Sequence, residues 1–238
     1  MSEHKRLILV TGASSGIGEA IAERLLSCNY EVVGVGRKAT CKLQGWPGFH
    51  YERLDLNDLK HLPENLKTLI KSYPEIDGLV CNAGRGQFGS LEEFSYKQID
   101  DLVSLNLTSQ IYLTRSFMPL LKRLKRGDIV FMGSEAALNG GRKGAVYSAT
   151  KFALRGFAQA LRDEVSKAGI RVSIINPGMV KTPFFDVVSF EPGDNEANYI
   201  LPSDVAEAVE LVLSSRTGIV FDEINLSPLK KLIQFKGD

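Results

Sequence analysis

Short apolar runs alternate with longer amphipathic stretches along most of this 238-residue chain. The apolar runs are rich in β-branched residues, as in strands buried on both faces. They are Leu7–Val10, Glu31–Val35, Gly78–Cys81, Asp128–Met132 and Arg171–Ile175. The stretches with helical periodicity are Gly16–Cys28, Leu62–Ser72, Tyr96–Lys125, Tyr147–Ala168 and Ser203–Leu213. This alternation predicts right-handed crossovers in one α/β domain, residues 1–238, whose doubly wound parallel sheet carries helices on both faces.

Composition argues against several classes of function. The 29 basic residues balance 28 acidic ones, so no overall charge favours nucleic acid or an anionic membrane. No apolar run approaches the roughly 18 residues of a membrane span, and the N-terminus lacks the pattern of a secretory signal. The three cysteines lack CxxC spacing and no histidine cluster accompanies them, which predicts reduced thiols, a cytoplasmic location and no metal site.

A glycine-rich turn follows the first predicted strand and opens the first predicted helix. It reads Thr11 to Gly18, with glycines spaced GxxxGxG. Glycines let the backbone approach a ligand, and the amides at a helix N-terminus attract the pyrophosphate of a dinucleotide. The alternative is a turn that serves packing alone. The cofactor contacts predicted here are Gly12, Ser14, Ser15, Gly16, Ile17 and Gly18.

The end of the second predicted strand indicates which dinucleotide is bound. NAD-specific sites commonly place an acidic residue here for the ribose 2′-hydroxyl, whereas this chain has Gly36, Arg37 and Lys38. A guanidinium can bind a 2′-phosphate through two charge-assisted hydrogen bonds. The sequence therefore predicts NADP(H), with Arg37 as the main contact and Ser14 or Lys38 assisting, although a solvated basic turn is the alternative.

Tyr147 and Lys151 stand four residues apart in a predicted helix, so both side chains can point into one pocket. A nearby ammonium, together with the positive charge of an oxidised nicotinamide, stabilises a phenolate and is expected to bring the tyrosine pKa towards the working range. Ser134 follows the strand Asp128–Met132, at the sheet edge where doubly wound proteins bind ligands. Tyr147 is then predicted to be the general acid and base, and Ser134 to donate a hydrogen bond to the substrate oxygen.

With these motifs the chain resembles the short-chain dehydrogenase/reductase family over nearly its full length. The resemblance implies a single-domain Rossmann fold and adds Asn106 to a catalytic set with Ser134, Tyr147 and Lys151. It implies that Asn106 positions a water-linked proton relay to Lys151, which also holds the nicotinamide ribose together with Tyr147. Further cofactor contacts implied by the resemblance are Asp55 and Leu56 at the adenine, Asn82, Ala83 and Gly84 beside the central strand, and Pro177, Gly178, Val180 and Thr182 near the carboxamide.

Three of these assignments have ordinary structural alternatives. Asp55 can cap a following helix, Asn106 can be a polar interruption of its helix, and Pro177-Gly178 is a common turn signal. The family's acyl carrier protein reductases often end in an Asp-Gly-Gly type turn. This chain instead ends with the run Phe221 to Pro228 and a basic tail, which argues against a role in fatty-acid synthesis.

The longest irregular stretch, 182–201, is predicted to be a mobile substrate lid rather than a plain surface loop. Apolar residues predicted to line the pocket are Phe88, Met179, Phe184, Phe185 and Phe190. The long helices beginning at Tyr96 and Tyr147 resemble those through which family members form homodimers or homotetramers.

These features predict a cytoplasmic NADP-dependent oxidoreductase that interconverts a small-molecule carbonyl and a secondary alcohol by hydride transfer, with reduction the expected direction. Two alternatives remain open. One is a catalytically silent NADP(H)-binding sensor. The other is a hydroxy or amino acid dehydrogenase, in which Arg142, Lys143 or Lys181 pairs with the substrate carboxylate.

Overall fold

A seven-stranded parallel sheet forms the centre of the computed structural model, which describes residues 5–236. Its strands are β1 (Leu7–Thr11), β2 (Glu31–Gly36), β3 (Phe49–Arg53), β4 (Ile76–Cys81), β5 (Gly127–Met132), β6 (Ile170–Pro177) and β8 (Glu223–Leu226). A short strand, β7 (Phe190–Pro192), lies between β6 and β8 in the chain but does not belong to this sheet. The spatial order is β3-β2-β1-β4-β5-β6-β8. The order reverses between β1 and β4, which confirms the doubly wound α/β fold.

Six helices cover the two faces of the sheet. They are α1 (Gly16–Ser27), α2 (Leu62–Ser72), α3 (Tyr96–Val103), α4 (Ser109–Leu124), α5 (Ala145–Val165) and α6 (Pro202–Ser214). Alternate residues of β1 point to opposite faces, as in any strand. Leu9 packs with the apolar residues of α2, α4 and α5, while Ile8 packs with those of α1 and α6. Each face thus has its own core.

The two edge strands, β3 and β8, were not predicted. Only Phe49 of β3 is buried, and β8 has no fully buried residue. A strand at a sheet edge lacks the continuous apolar run that identified the central strands. Pairing with a neighbouring strand positions each of them: β3 pairs with β2, with Phe49 opposite Val32, and β8 pairs with β6, with Ile224 opposite Ile175.

The predicted helix Tyr96–Lys125 is interrupted. A π-helical turn, Ser104–Thr108, separates α3 from α4, and Lys125 takes a left-handed conformation beyond the end of α4. Periodicity predicted one regular helix because the apolar pattern continues through the turn. Such π turns occur mostly as single insertions in α-helices, frequently at functional sites. Asn106 lies in this turn and is buried.

Helix α6 begins one residue earlier than predicted. Leu201 is the N-cap, and its amide donates a hydrogen bond of 2.8 Å to the carboxylate of Asp204. An acidic side chain in the first turn thus satisfies the amide three residues before it, as in a capping box.

The stretch 182–201 is held by a second small sheet. Strand β7 pairs antiparallel with β9 (Ile233–Phe235), which comes from the C-terminal part of the chain. A three-residue strand has too little pattern to be recognised in a sequence, and no strand was predicted in the basic tail. Within residues 5–236, no helix is long and apolar enough to cross a membrane.

Candidate active site

A cavity of about 1190 Å³ lies at the carboxyl ends of the central strands, where open α/β sheets bind ligands. It extends from the glycine turn after β1, past the ends of β2 and β4, to the loop after β5 and the start of α5. The predicted nucleotide and catalytic residues therefore border one continuous space.

The glycine turn has the backbone geometry that its sequence predicts. Gly12 and Gly16 have φ angles of +70° and +59°, which disfavour side chains. A Cβ atom at Gly12 would also lie 2.9 Å from the side-chain nitrogen of Asn82. The Ser15 side chain, at the N-cap of α1, makes no capping hydrogen bond to the described part of the helix. Uncapped amides at a helix N-terminus that borders a cavity suit an anionic group.

Gly18 has a different role from the other two glycines. It does not line the cavity; a Cβ atom there would lie 2.2 Å from the carbonyl oxygen of Gly12. Gly18 thus allows α1 to pack closely against the turn. The other residues of the turn that line the cavity are Gly12, Ser14, Ser15, Gly16 and Ile17.

Asn82 ties the end of β4 to the end of β1. Its side-chain nitrogen donates a hydrogen bond of 2.9 Å to the carbonyl oxygen of Thr11. The Thr11 hydroxyl in turn accepts hydrogen bonds of 2.9 Å from the amides of Asn82 and Ala83. These bonds hold the two strand ends together at the point where the strand order reverses. Asn82, Ala83 and Gly84 all line the cavity.

Arg37 and Lys38 line the opposite end of the cavity, and both are exposed. The Arg37 carbonyl accepts a hydrogen bond of 3.2 Å from the guanidinium of Arg53, which ends the neighbouring strand β3. Tyr51 on β3 donates to the Lys38 carbonyl at 3.0 Å. The basic turn after β2 is therefore fixed through its backbone, while the Arg37 side chain remains accessible.

Asp55 is positioned differently from its flanking residues. Leu54 and Leu56 are buried and line the cavity, whereas Asp55 is exposed and outside the cavity lining. Its carboxylate accepts a hydrogen bond of 2.9 Å from the amide of Asn57, two residues later. This is a local turn bond rather than the helix cap weighed above, since α2 begins only at Leu62.

Asn106 bridges three segments around the catalytic end. Its oxygen accepts a hydrogen bond of 2.9 Å from the amide of Arg85, and its nitrogen donates to the Arg85 carbonyl at 2.9 Å. The same nitrogen donates to the hydroxyl of Thr150 on α5 at 3.3 Å. The buried amide thus connects the π turn with the segment after β4 and with α5.

Tyr147 and Lys151 occupy the first turns of α5 and face the cavity together with Ser134. The Lys151 ammonium lies 5.8 Å from the centre of the Tyr147 ring and donates a hydrogen bond of 2.8 Å to the carbonyl of Met132. Ser134 is held by its amide, which donates to the Asn176 side chain at 3.3 Å. Three groups able to move or stabilise protons therefore meet at one end of the cavity.

Burial dominates the electrostatics of this group. Burial raises the Tyr147 pKa to about 12, and the charge of Glu135 also raises it, while a hydrogen bond with Ser134 lowers it. Burial lowers the pKa of Lys151 to about 8. The predicted shift of the Tyr147 pKa towards the working range requires the positive charge of oxidised nicotinamide as well as the ammonium, and it stays a prediction. In the protein itself, desolvation of the phenolate is the largest contribution to the Tyr147 pKa.

Two phenylalanine rings lie beside the ring of Tyr147. The Phe88 ring centre lies 5.2 Å from that of Tyr147, and the Phe184 centre lies 6.3 Å away. Phe88 also contacts Phe190 edge-on at 5.0 Å. All five apolar residues predicted for the pocket line the cavity: Phe88, Met179, Phe184, Phe185 and Phe190.

Comparison with known proteins gives the family. The family described as short chain dehydrogenase matches residues 6–191, more than half of the chain. The chain belongs to the short-chain dehydrogenase family. It is thus one of a family of oxidoreductases, as its motifs predicted.

Individual relatives cover most of the chain. A 3-oxoacyl-[acyl-carrier-protein] reductase of Buchnera aphidicola is 35% identical, covering 76% of each chain. An NADP-dependent 3-hydroxy acid dehydrogenase of Schizosaccharomyces pombe is 30% identical, covering 94% of this chain and 92% of the relative. An alcohol dehydrogenase from Thermococcus sibiricus, solved with 5-hydroxy-NADP, superimposes with a TM-score of 0.85 at 27% identity, covering 96% of this chain and 99% of the other.

The residues that the family resemblance assigns to the carboxamide side lie at the end of β6 and directly after it. Pro177, Gly178, Val180 and Thr182 line the cavity. Of the three cations considered for a substrate carboxylate, Arg142 and Lys143 line it, whereas Lys181 lies outside, with its ammonium 4.5 Å from the centre of the Tyr199 ring.

Sequence reasoning missed two parts of the cavity wall. Glu135 was not considered, although its position directly after Ser134 indicated that it lies near the site. Lys231, Ile233 and Phe235 also line the cavity, and no local signal in the tail could have placed them there.

Proposed function

We propose that this short-chain dehydrogenase is an NADP-dependent enzyme that interconverts a carbonyl compound and a secondary alcohol. The observation that carries the proposal is the meeting of Ser134, Tyr147 and Lys151 in the cavity that the glycine turn also borders. Reduction is the proposed direction in the cell, and the cytoplasm the proposed compartment. We also propose a homodimer or homotetramer and a substrate lid at residues 182–201.

The residues around the cavity suit a nicotinamide dinucleotide. Gly12 and Gly16 line the cavity at the N-terminus of α1, where a pyrophosphate would bind, and Lys151 and Thr182 would hold the nicotinamide half. Leu56 would lie against the adenine, and Asp55 is proposed to contact the ring edge. A bound cofactor supplies the hydride donor or acceptor and, when oxidised, a positive charge near Tyr147.

Proton transfer is assigned to Tyr147. Its hydroxyl would give a proton to the substrate oxygen during reduction and accept one during oxidation. Ser134 would donate a hydrogen bond to the same oxygen as negative charge develops there. Lys151, joined to Met132, is placed to stabilise the phenolate, and Asn106 to position the water through which the proton reaches solvent.

The preference for NADP(H) is proposed from Arg37. Its side chain is accessible at the ribose end of the cavity, and no acidic residue occupies Val35 to Lys38. The dehydrogenase of S. pombe is named as NADP-dependent, and the T. sibiricus enzyme was solved with an NADP derivative. A guanidinium binds a phosphate well and would gain little from an unmodified ribose.

Titration calorimetry with NADPH and NADH tests the cofactor assignment first. Absorbance at the nicotinamide band then follows turnover over ketones, aldehydes, quinones and 3-hydroxy acids. We expect tighter binding of NADPH, turnover of at least one carbonyl compound, and loss of turnover by about 10²- to 10⁴-fold in Tyr147→Phe with cofactor binding kept. Cofactor binding without turnover of any compound would support a silent sensor instead.

A hydroxy or amino acid dehydrogenase is the second candidate function. Arg142 and Lys143 line the cavity, and neither forms an ion pair with any residue between 5 and 236. Either cation can bind a substrate carboxylate. Replacing Arg142 or Lys143 by Gln would then raise KM for 3-hydroxy acids by about tenfold or more without weakening cofactor binding. Lys181→Gln is the matched control, because Lys181 lies outside the cavity.

A further inference from the structure

The C-terminal part of the chain contributes to the cavity of the proposed enzyme. We call residues 228–236 the tail segment. Its strand β9 pairs with β7, so that Phe235 lies opposite Phe190 and Ile233 opposite Pro192. Opposed residues of an antiparallel pair share one face. Lys231, Ile233 and Phe235 alternate along the segment, and all three line the cavity.

Backbone hydrogen bonds hold the tail segment against the proposed lid. The Lys230 amide donates to the Ala197 carbonyl at 2.8 Å, and the Lys236 amide donates to the Ser189 carbonyl at 2.9 Å. The Asn198 side chain donates to the Lys230 carbonyl at 2.9 Å. These contacts connect the tail only to the stretch 182–201, which is itself a connection between β6 and α6.

One ion pair connects the tail segment directly to the catalytic end. The Lys231 ammonium lies 2.7 Å from a carboxylate oxygen of Glu135, the residue that follows Ser134. The two residues are 96 positions apart in sequence. Lys231 is about half exposed and Glu135 about one third exposed, so the pair lies at the rim of the cavity.

The tail segment also leaves apolar surface uncovered. Ile233 is 42% exposed and Phe235 66% exposed, although both line the cavity. Together with Phe88, Phe184 and Phe190 they form a wall that an apolar part of a substrate would cover. Burial of such surface is the main favourable contribution to binding of apolar groups.

We propose that the tail segment is a wall of the substrate site and that the Glu135–Lys231 ion pair positions it relative to Ser134 and Tyr147. This inference rests on the proposed function for its substrate role. Lys231 is then a positioning residue, and Ile233 and Phe235 are contacts for the apolar part of the substrate.

The ion pair has an electrostatic consequence at Tyr147. The charged or titratable groups that face Tyr147 are Ser134 and Glu135 from the loop after β5 and Lys151 from its own helix, while Phe88 and Phe184 are apolar. The negative charge of Glu135 raises the Tyr147 pKa. Lys231 offsets that charge, so its removal should raise the Tyr147 pKa further, and removal of Glu135 should lower it.

Hydrogen exchange of the tail peptide, followed by mass spectrometry, tests the attachment without cofactor or substrate. We expect Lys231→Met and Glu135→Gln to speed exchange of residues 228–236 by about two- to fivefold, the effect of losing one partly exposed ion pair. Lys231→Arg should keep the slow exchange of the parent protein. Lys230→Met is the matched control, since the Lys230 side chain forms no ion pair within residues 5–236.

The pH profile of kcat/KM for alcohol oxidation tests the positioning role. The pH midpoint attributed to Tyr147 should rise in Lys231→Met and fall in Glu135→Gln, each by less than about one pH unit. In the double variant Lys231→Met with Glu135→Gln, the midpoint should equal that of Glu135→Gln alone. A tail segment without this electrostatic contact would not shift the midpoint in opposite directions in the two variants.

The double variant Ile233→Ala with Phe235→Ala tests the apolar wall. It should raise KM for ketones with apolar groups while leaving KM for NADPH unchanged.

Two results would overturn the inference. One is equal exchange in Lys231→Met and Lys230→Met, and the other is an unchanged pH midpoint in both single charge variants. If the parent protein turns over no compound, the proposed function fails, and the exchange experiment still decides whether the ion pair holds the tail segment.

Discussion

The ammonium group of Lys151 donates a hydrogen bond of 2.8 Å to the carbonyl oxygen of Met132, and both residues are buried. Met132 ends β5, two residues before Ser134, so this bond attaches the catalytic helix α5 to the strand that presents Ser134. The bond fixes the ammonium in a position where water has little access. Its cost is a charge held away from solvent, which is why burial lowers the pKa of Lys151 to about 8.

The lowered pKa of Lys151 predicts how stability depends on pH. Between about 8 and 10.5 the unfolded chain binds a proton at this residue and the folded chain does not. The free energy of unfolding therefore gains a contribution as pH rises through this window, because the unfolded state binds more protons. The full gain is at most about 3 kcal/mol.

Urea unfolding of the parent protein and Lys151→Met, measured from pH 7 to 10, checks this expectation. Below pH 8 the free energy of unfolding of Lys151→Met should be highest relative to that of the parent protein. As the pH rises, the free energy of unfolding of the parent should increase relative to that of the variant. Taking the difference between the two proteins removes the contributions of groups that do not interact with Lys151. A difference that stays constant across this range would show that Lys151 titrates normally.

The side chain of Arg37 is expected to decide the choice of cofactor. Arg37→Asp places a carboxylate beside the 2′-position of the adenosine ribose, where it repels a phosphate and can accept a hydrogen bond from a hydroxyl. We expect affinity for NADPH to fall by about tenfold or more, with affinity for NADH unchanged or improved.

Calorimetric titration of both cofactors measures this effect. Arg53→Gln is a useful control, because the Arg53 guanidinium donates its hydrogen bond to the backbone carbonyl of Arg37 and not to the Arg37 side chain. A variant that still prefers NADPH to the same degree would identify Arg37 as a solvated turn residue.

Two glycines in helices are expected to respond in opposite ways to alanine. A Cβ atom at Gly18 would lie 2.2 Å from the Gly12 carbonyl, so Gly18→Ala must displace α1 from the turn. At Gly156 in α5, apart from the neighbouring backbone of the helix itself, no described atom lies within 4 Å of such a Cβ. Gly156→Ala should stabilise the protein by about 0.5–1 kcal/mol, since alanine favours helix formation.

Gly18→Ala should instead lower stability by about 1–3 kcal/mol through overpacking and weaken NADPH binding. Thermal unfolding and cofactor titration of the two variants distinguish the cases. Equal stability of the two variants would contradict the close packing of α1 on the turn.

Features of this protein that depend on interactions between residues close in sequence could be predicted, whereas features that depend on residues far apart in sequence could not. The central strands were identified because each is buried on both faces, and the nucleotide turn because a strand, glycines and a helix follow one another locally. The edge strand β3 buries only Phe49, and its place depends on pairing with β2, which no local pattern specifies. The attachment of the tail segment depends on an ion pair between residues 135 and 231 and was equally inaccessible.

The candidate site shows the same division. The positions of Tyr147 and Lys151 on one helix face follow from four-residue spacing alone. The pKa of Tyr147 does not, because it depends on how deeply the folded chain buries the phenol. The π turn at Asn106 was hidden for another reason: its apolar pattern is also compatible with a regular helix.

A buried ion-pair network at the amino edge of the sheet gives the last prediction. The carboxylate of Asp128 on β5 accepts hydrogen bonds of 2.6 Å from Arg171 on β6 and 2.7 Å from Arg6. Asp128 is 3% exposed and Arg171 9% exposed. Asp128→Asn leaves the Arg171 guanidinium buried without its carboxylate, and breaking a buried pair in this way costs about 3–5 kcal/mol.

Asp222→Asn is the matched control, because the same substitution there breaks a 2.9 Å pair with Arg162 in which Asp222 is 61% exposed. An exposed pair contributes at most about 1 kcal/mol. Urea unfolding at pH 7 should therefore show a much larger loss for Asp128→Asn than for Asp222→Asn. Since the network lies at the edge of the sheet opposite the cavity, NADPH affinity of the folded Asp128→Asn protein should match that of the parent. Similar small losses in both variants would mean that backbone carbonyls such as those of Leu213 and Ser215 suffice to hold Arg171 in place.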